Sequence, residues 1–151
     1  MTQKKQEKLK IVGWREKIHL PEFGLYNYKV KVDTGARTSA IHADDIKMFE
    51  VDGKRYVSFT VFPNQKNKKD SRRLTFPKLE KRTIRSSTGR ETLRPVVVTE
   101  IQVGKEVFEI ELTLVNRATL GFRMLLGRTA LKGRFMVDSS SSYLQSPSSG
   151  N

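Results

Sequence analysis

The sequence has no cysteine, which excludes disulfides, thiolate metal sites and cysteine nucleophiles, so any chemistry falls to other side chains. Histidines number two, His19 and His42, and neither the count nor the spacing of a structural zinc site is met. There is no His-Glu-x-x-His and no glycine-rich loop with a lysine to cradle phosphates, so neither a metal nor another cofactor is expected. No apolar run approaches the length of a membrane span, and no membrane association is expected. The start, Met1 to Lys10, is polar and basic without an apolar signal segment, and reads as a flexible arm over 1–10 of a cytoplasmic protein. Helical periodicity is nearly absent as well, while short strands recur at all-β spacing.

What is present is a chain of 151 residues with 36% hydrophobic and 30% charged residues, enough for one domain with a real core but not for two lobes. Lys and Arg number 29 against 16 acids, a formal charge of +13, which favours polyanionic partners such as nucleic acid, ribosomes or acidic peptides. The basic residues are not interleaved with the aromatics of a base-stacking sheet, so nucleic acid is not the leading partner.

The most informative stretch runs from Tyr28 to Ile41. Tyr28, Val30 and Val32 alternate with Lys29 and Lys31, the period of a half-buried strand that delivers the chain into Asp33-Thr34-Gly35. Gly35 is expected to take a positive φ, and small Thr34 and Ala36 leave room for a neighbour, so that the Asp33 carboxylate sits on the floor of a cleft. Asp-Thr-Gly also makes an ordinary turn, and the tripeptide alone does not decide between these readings.

Around it, Ile11 to Pro21 reads as a short strand and turn, with Trp14, the single tryptophan, as core packing. Asp44 and Asp45 read as a solvated turn or cap. Asp52-Gly53 predicts a two-residue hairpin between Lys47–Val51 and Arg55–Phe62, and Gly104-Lys105 a long hairpin between Pro95–Val103 and Glu106–Val115. Pro63 to Pro95 is strongly basic. Its first part, Asn64 to Arg73, reads as a mobile surface loop or hairpin tip, and Thr83 to Arg94 as a hairpin around Gly89 that either closes over a cleft or stands solvated. Met124-Leu125-Leu126-Gly127 reads as a buried strand passing into a short helix at Arg128-Thr129-Ala130-Leu131, followed by a strand at Phe135-Met136-Val137. The serine run 139–142 and the stretch 145–151 have the composition of a flexible end.

A strand into Asp33-Thr34-Gly35-Ala36 and a later apolar strand into Gly127-Arg128 resemble the retropepsin-like aspartic peptidases, small closed β-barrels active as homodimers. More closely, Asp33 to Ala43, Arg85-Ser86-Ser87, Arg94-Pro95-Val96-Val97, Met124 to Arg128 and Phe135 to Asp138 resemble the bacterial family named ATP-dependent zinc proteases, linked to ATP-grasp ligases of the ribosomal protein S6 modification type. The resemblance covers about Ile11 to Leu144 and implies an acid-protease domain over 11–144. It implies that Asp33 is the catalytic acid, that Thr34 buttresses the dyad and Gly35 shapes its loop, the three making up the catalytic motif, and that Ala36, Gly127 and Arg128 support it. It also puts Ser86, Ser87, Thr88 and Gly89 in the flap. Viral retropepsins carry a second acid soon after this motif, where Arg37 stands here, so the dimer contacts must differ.

Peptide hydrolysis of this kind needs two carboxylates sharing a proton. One chain supplies one such acid, because Asp138 lacks the glycine and reads as a turn residue. The leading expectation is therefore a homodimeric aspartic endopeptidase acting on a peptide or protein, with acidic segments suited to its charge. The alternatives are a catalytically silent peptide-binding accessory to an ATP-grasp ligase, and RNA or ribosome association through the Lys66 to Arg94 region, tested by neutralising Lys68, Lys69, Arg72 and Arg73.

Overall fold

The computed structural model describes residues 8–64, 70–85, 91–116 and 122–146. Strand β1 (Lys10–Gly13) and β2 (Arg15–Leu20) lead into a 3₁₀ turn at Pro21–Phe23, and Gly24, at φ +69°, turns the chain back into β3 (Leu25–Asp33). On β3 the expected alternation holds, with Tyr28, Val30 and Val32 inside and Lys31 outside. Then come β4 (Ser39–His42), β5 (Asp44–Val51), β6 (Lys54–Val61), β7 (Arg72–Pro77), β8 (Glu80–Arg85), β9 (Glu91–Val103), β10 (Glu106–Val115) and β11 (Met124–Gly127). A single-turn helix α1 (Arg128–Leu131) and β12 (Phe135–Asp138) complete the described elements.

Six strands close on themselves in the order β10-β4-β11-β3-β2-β9, because β9 also pairs with β10. This is the all-β closed barrel expected for a retropepsin-like chain, and closure removes the free sheet edges that would otherwise template aggregation. Both predicted hairpins form. Asp52 and Gly53 carry φ values of +51° and +79° between β5 and β6, as a primed two-residue turn requires, and Gly104 at +61° opens the β9–β10 turn. On β10, Ile110, Leu112 and Leu114 face the core while Glu109 and Glu111 face out. β8 pairs with the first half of β9 beyond the barrel, and β5, β6 and β7 form a separate three-stranded sheet.

The decisive long-range feature is β11. It enters between β3 and β4, parallel to the first (Gly127 opposite Asp33) and antiparallel to the second (Met124 opposite Ile41). The 34–38 segment must therefore cross over the end of β11. Inward from this crossing, Val30, Val32, Ile41, Met124 and Leu126 join Leu20, Phe23, Ile101 and Leu112 in one buried cluster, whose apolar burial is the main source of stability.

Several local expectations are corrected. Trp14 lies at the β1–β2 corner, only partly buried, edge-on to Phe122 with the Arg15 guanidinium over its ring. Asp44 and Asp45 open β5 instead of making a turn, since a bulge with Asp45 at φ +51° absorbs the irregularity within the strand. The Asn64 to Arg73 stretch is the connection of the antiparallel β6–β7 hairpin, but its last two residues, Arg72 and Arg73, already pair in β7, and Arg73 bonds the Asp45 carbonyl and carboxylate, Thr60 and Ser58 at 2.8–3.1 Å. Lys66, Lys68 and Lys69 lie outside the described residues.

The serine-rich end is held where composition suggested flexibility. Glu16 is wholly buried, and its carboxylate accepts four hydrogen bonds: Oε2 from the Gly13 and Leu144 amides, Oε1 from the Gln145 amide and the Ser146 hydroxyl, at 2.7–3.0 Å. A buried charge is tolerable only when so completely satisfied. Gln145 and Ser146, placed by composition in the flexible stretch, are thus tied to the β1–β2 corner, while 147–151 lie outside the described residues.

Candidate active site

Asp33 is the last residue of β3 and is half-buried. Its Oδ1 accepts the Gly35 amide at 2.9 Å, and its carbonyl accepts the Ala36 amide at 3.2 Å, so the loop folds back on the carboxylate. Gly35 does not adopt the positive φ expected of it. A different feature favours glycine there: a Cβ would stand 3.2 Å from Asp33 Oδ1, a tight approach to the oxygen that its own amide holds.

Below the loop, Gly127 is required by close approach. A Cβ would fall 2.7 Å from the Thr38 carbonyl carbon and 3.0 Å from the Ala36 oxygen. Its amide donates to the buried Ser39 hydroxyl at 2.9 Å, and Ser39 in turn accepts the Thr113 hydroxyl on its carbonyl at 3.1 Å. The chain then enters α1, whose first amides have no partner within so short a helix. The loop supplies them: Arg128 N–H donates to the Ala36 carbonyl at 2.8 Å, and Thr129 donates to the Arg37 carbonyl through its amide (3.1 Å) and hydroxyl (2.8 Å). The Arg128 guanidinium reaches the Thr34 and Gly35 carbonyls at 3.3 and 3.2 Å. Sequence reading singled out Gly127 and Arg128 but missed Ser39, Thr113 and Thr129. For Thr129 the available signal was a hydroxyl directly after the Gly-Arg pair at a helix start; for Ser39 and Thr113 no local pattern exists.

Asp33, Thr34, Gly35, Ala36, Gly127 and Arg128 are therefore brought together, and Asp33 sits without an ion pair or second carboxylate among the described residues. Asp138 is elsewhere, at the end of β12 opposite Gly13. It accepts both the Ser140 amide and hydroxyl and the Ser141 hydroxyl, bonds that hold its carboxyl below the usual range, as befits a turn residue. His19 Nδ1 accepts the Asn27 amide, and His42 Nε2 lies 3.2 Å from Asp44. Among the described residues no group of three or more His, Asp or Glu side chains is arranged to hold a metal ion, and no helix is long and apolar enough to cross a membrane. The arms of the 83–94 hairpin pair from Arg85 opposite Glu91 onward; the flap candidates Ser86, Ser87, Thr88 and Gly89 lie outside the described residues.

The family described as retropepsin-like aspartic endopeptidase RimB matches residues 11–148. This chain belongs to the RimB-like family. A crystal structure of a Legionella pneumophila protein of unknown function is similar to it at a TM-score of 0.71 and 29% identity, covering 90% of this chain and 98% of that one. Curated relatives carry the name probable alpha-L-glutamate ligase. That of Desulfotalea psychrophila is 43% identical over 85% of this chain, and that of Shewanella pealeana 41% identical over 88%. The chain spans only 28% and 29% of the length of these two relatives. The RimB-like match thus lies on the barrel, and the ligase name is attached to proteins more than three times as long.

Proposed function

We propose that this chain is an aspartic endopeptidase whose active unit is a two-fold dimer, with Asp33 from each copy forming the dyad. The observation that carries this reading is the state of Asp33: half-exposed at a strand end, fixed through one oxygen by the Gly35 amide, and alone. Two such carboxylates in contact share one proton, since like charges cannot both persist at that distance. The ionised one takes a proton from water as its oxygen attacks the peptide carbonyl, and the protonated one donates to the carbonyl oxygen. Collapse of the tetrahedral intermediate returns that proton and passes the other to the departing amine.

In this reading Thr34 and Gly35 set the carboxylate's position, and Ala36, Gly127 and Arg128 brace the loop. The hairpin that contains 86–89 covers the substrate. Residues 11–144, with Gln145 and Ser146 tied on by Glu16, act as one domain in the cytoplasm. The test pairs light scattering across a concentration series with cleavage of a peptide library. Wild type is expected to dimerise and cleave, and Asp33→Asn to dimerise without cleaving. Cleavage by Asp33→Asn at the wild-type rate sinks the proposal.

A second reading is a peptide-binding accessory of a ligase, favoured by the name of the longer relatives. It predicts that glutamate-rich peptides bind with steep salt dependence and no turnover, and that neutral peptides do not. Within the Lys66 to Arg94 region offered for RNA, Arg73 already has its guanidinium engaged with Asp45, Thr60 and Ser58.

A further inference from the structure

A cavity of about 420 Å³ opens near the β9–β10 turn. One of its walls is Asn27, six positions before Asp33 on β3 and hence about 20 Å from it along the strand. The cavity therefore lies at the opposite end of β3 from the Asp-Thr-Gly loop. Its size is that of sites for small organic ligands.

The described lining carries Lys10, Lys17, Lys105 and His19 and no carboxylate. Lys10 is taken up by Glu106 at 2.6 Å. Lys17 rests its ammonium 5.3 Å from the centre of the Tyr143 ring, a contact that uses its charge but leaves its N–H donors. Lys105, on the turn itself, has no carboxylate partner among the described residues. Two carboxamides are held in fixed orientation: Gln102 Nε2 donates to the Gly104 carbonyl at 3.0 Å and Gln145 Nε2 to the Ile11 carbonyl at 2.9 Å. Both therefore keep a carbonyl oxygen as an acceptor. Glycine at residue 104 leaves Gln145 in its present place over the turn, since a Cβ there would stand 2.5 Å from Gln145 Oε1 and push the carboxamide aside.

We propose that this cavity binds a peptide-like anion, with its carboxylates on Lys17 and Lys105 and an N–H on the Gln102 and Gln145 oxygens. Bare phosphate answers the lysines but has no N–H for the acceptors, only the one or two O–H groups it keeps near neutral pH. The site stands apart from Asp33 and does not depend on catalysis. The ligand is either a free dipeptide or the end of a chain, which share this chemistry.

The experiment uses the full chain as Asp33→Asn, so that cleavage cannot intervene, titrated with glycyl-glutamate while backbone amide shifts are followed by NMR. Saturating shifts are expected at Lys17, Gln102, Lys105 and Gln145, with residues 33–36 unmoved. The Lys17→Gln/Lys105→Gln pair is expected to weaken binding about tenfold or more, Lys105→Gln alone to weaken it in part, and inorganic phosphate to bind more weakly than the dipeptide. Acetylating the dipeptide's amine separates the sources: weakened binding marks a free dipeptide, and unchanged binding a chain end. Equal affinity in the lysine variants, phosphate binding as tight as the dipeptide's, or shifts confined to 33–36 overturns the proposal.

Discussion

Replacing Glu16 with glutamine tests the clamp that joins the two ends of the described chain. The carboxylate is wholly buried and accepts from three amides and one hydroxyl. A carboxamide of the same shape has only one accepting oxygen. If its NH₂ took the Oε2 position it would face both the Gly13 and Leu144 amides, so it is expected at the Oε1 position. There the Ser146 hydroxyl can rotate and accept, but the Gln145 amide is orphaned. One buried orphan donor costs about 1–3 kcal/mol, and the remaining bonds lose their charge assistance, about 1 kcal/mol each. The expected loss is about 4–6 kcal/mol, or a fall in Tm of about 15 °C for a domain of this size. Urea unfolding gives the first number, and hydrogen exchange at Leu144 and Gln145 is expected to accelerate before global unfolding. A loss below about 1 kcal/mol with unchanged exchange would refute the clamp.

Two further substitutions probe the barrel. Gly127→Ala puts a methyl against the Thr38 and Ala36 backbone, so it is expected to cost about 3 kcal/mol by thermal melt, the upper range for overpacking, and to displace the loop that carries Asp33. Tyr28→Phe is expected to be neutral or stabilising at pH 7, because the Tyr28 hydroxyl is buried without a hydrogen-bond partner among the described residues. Burial, opposed in part by Arg123, pushes this hydroxyl's pKa up to about 12 from 10.0. The neutral form is favoured in the fold, so wild type keeps this contribution below pH 10 and loses roughly 2–3 kcal/mol as pH rises from about 10 to 12. Alkaline unfolding curves of wild type and Tyr28→Phe should diverge over that window; parallel curves would show that Tyr28 is not the titrating group.

The local signals in the chain were enough to determine a great deal. Period-two alternation at Tyr28 to Val32, the Asp52-Gly53 and Gly104-Lys105 turns, and the apolar run into Gly127 each specify backbone geometry within a few residues, where the physics is short-range. From these came the all-β class, both hairpins, the short helix after Gly127 and the strand-end position of Asp33. Only the tertiary structure decided what those pieces meet. The insertion of β11 between β3 and β4 pairs residues far apart in the chain, and no local pattern encodes that register. It is what makes Gly127 obligatory, turns the first amides of α1 onto the Ala36 and Arg37 carbonyls, and gives Ser39 a buried partner. Gly35 shows the same division: its identity was legible as a loop residue, but its reason was not a left-handed turn. That reason, room for the Asp33 carboxylate on its own amide, exists only once the loop has folded. Glu16 is one of several acids on strands, and alternation alone gives it no special role. Its role depends on four donors, three of them from the far end of the chain, arriving at one buried point.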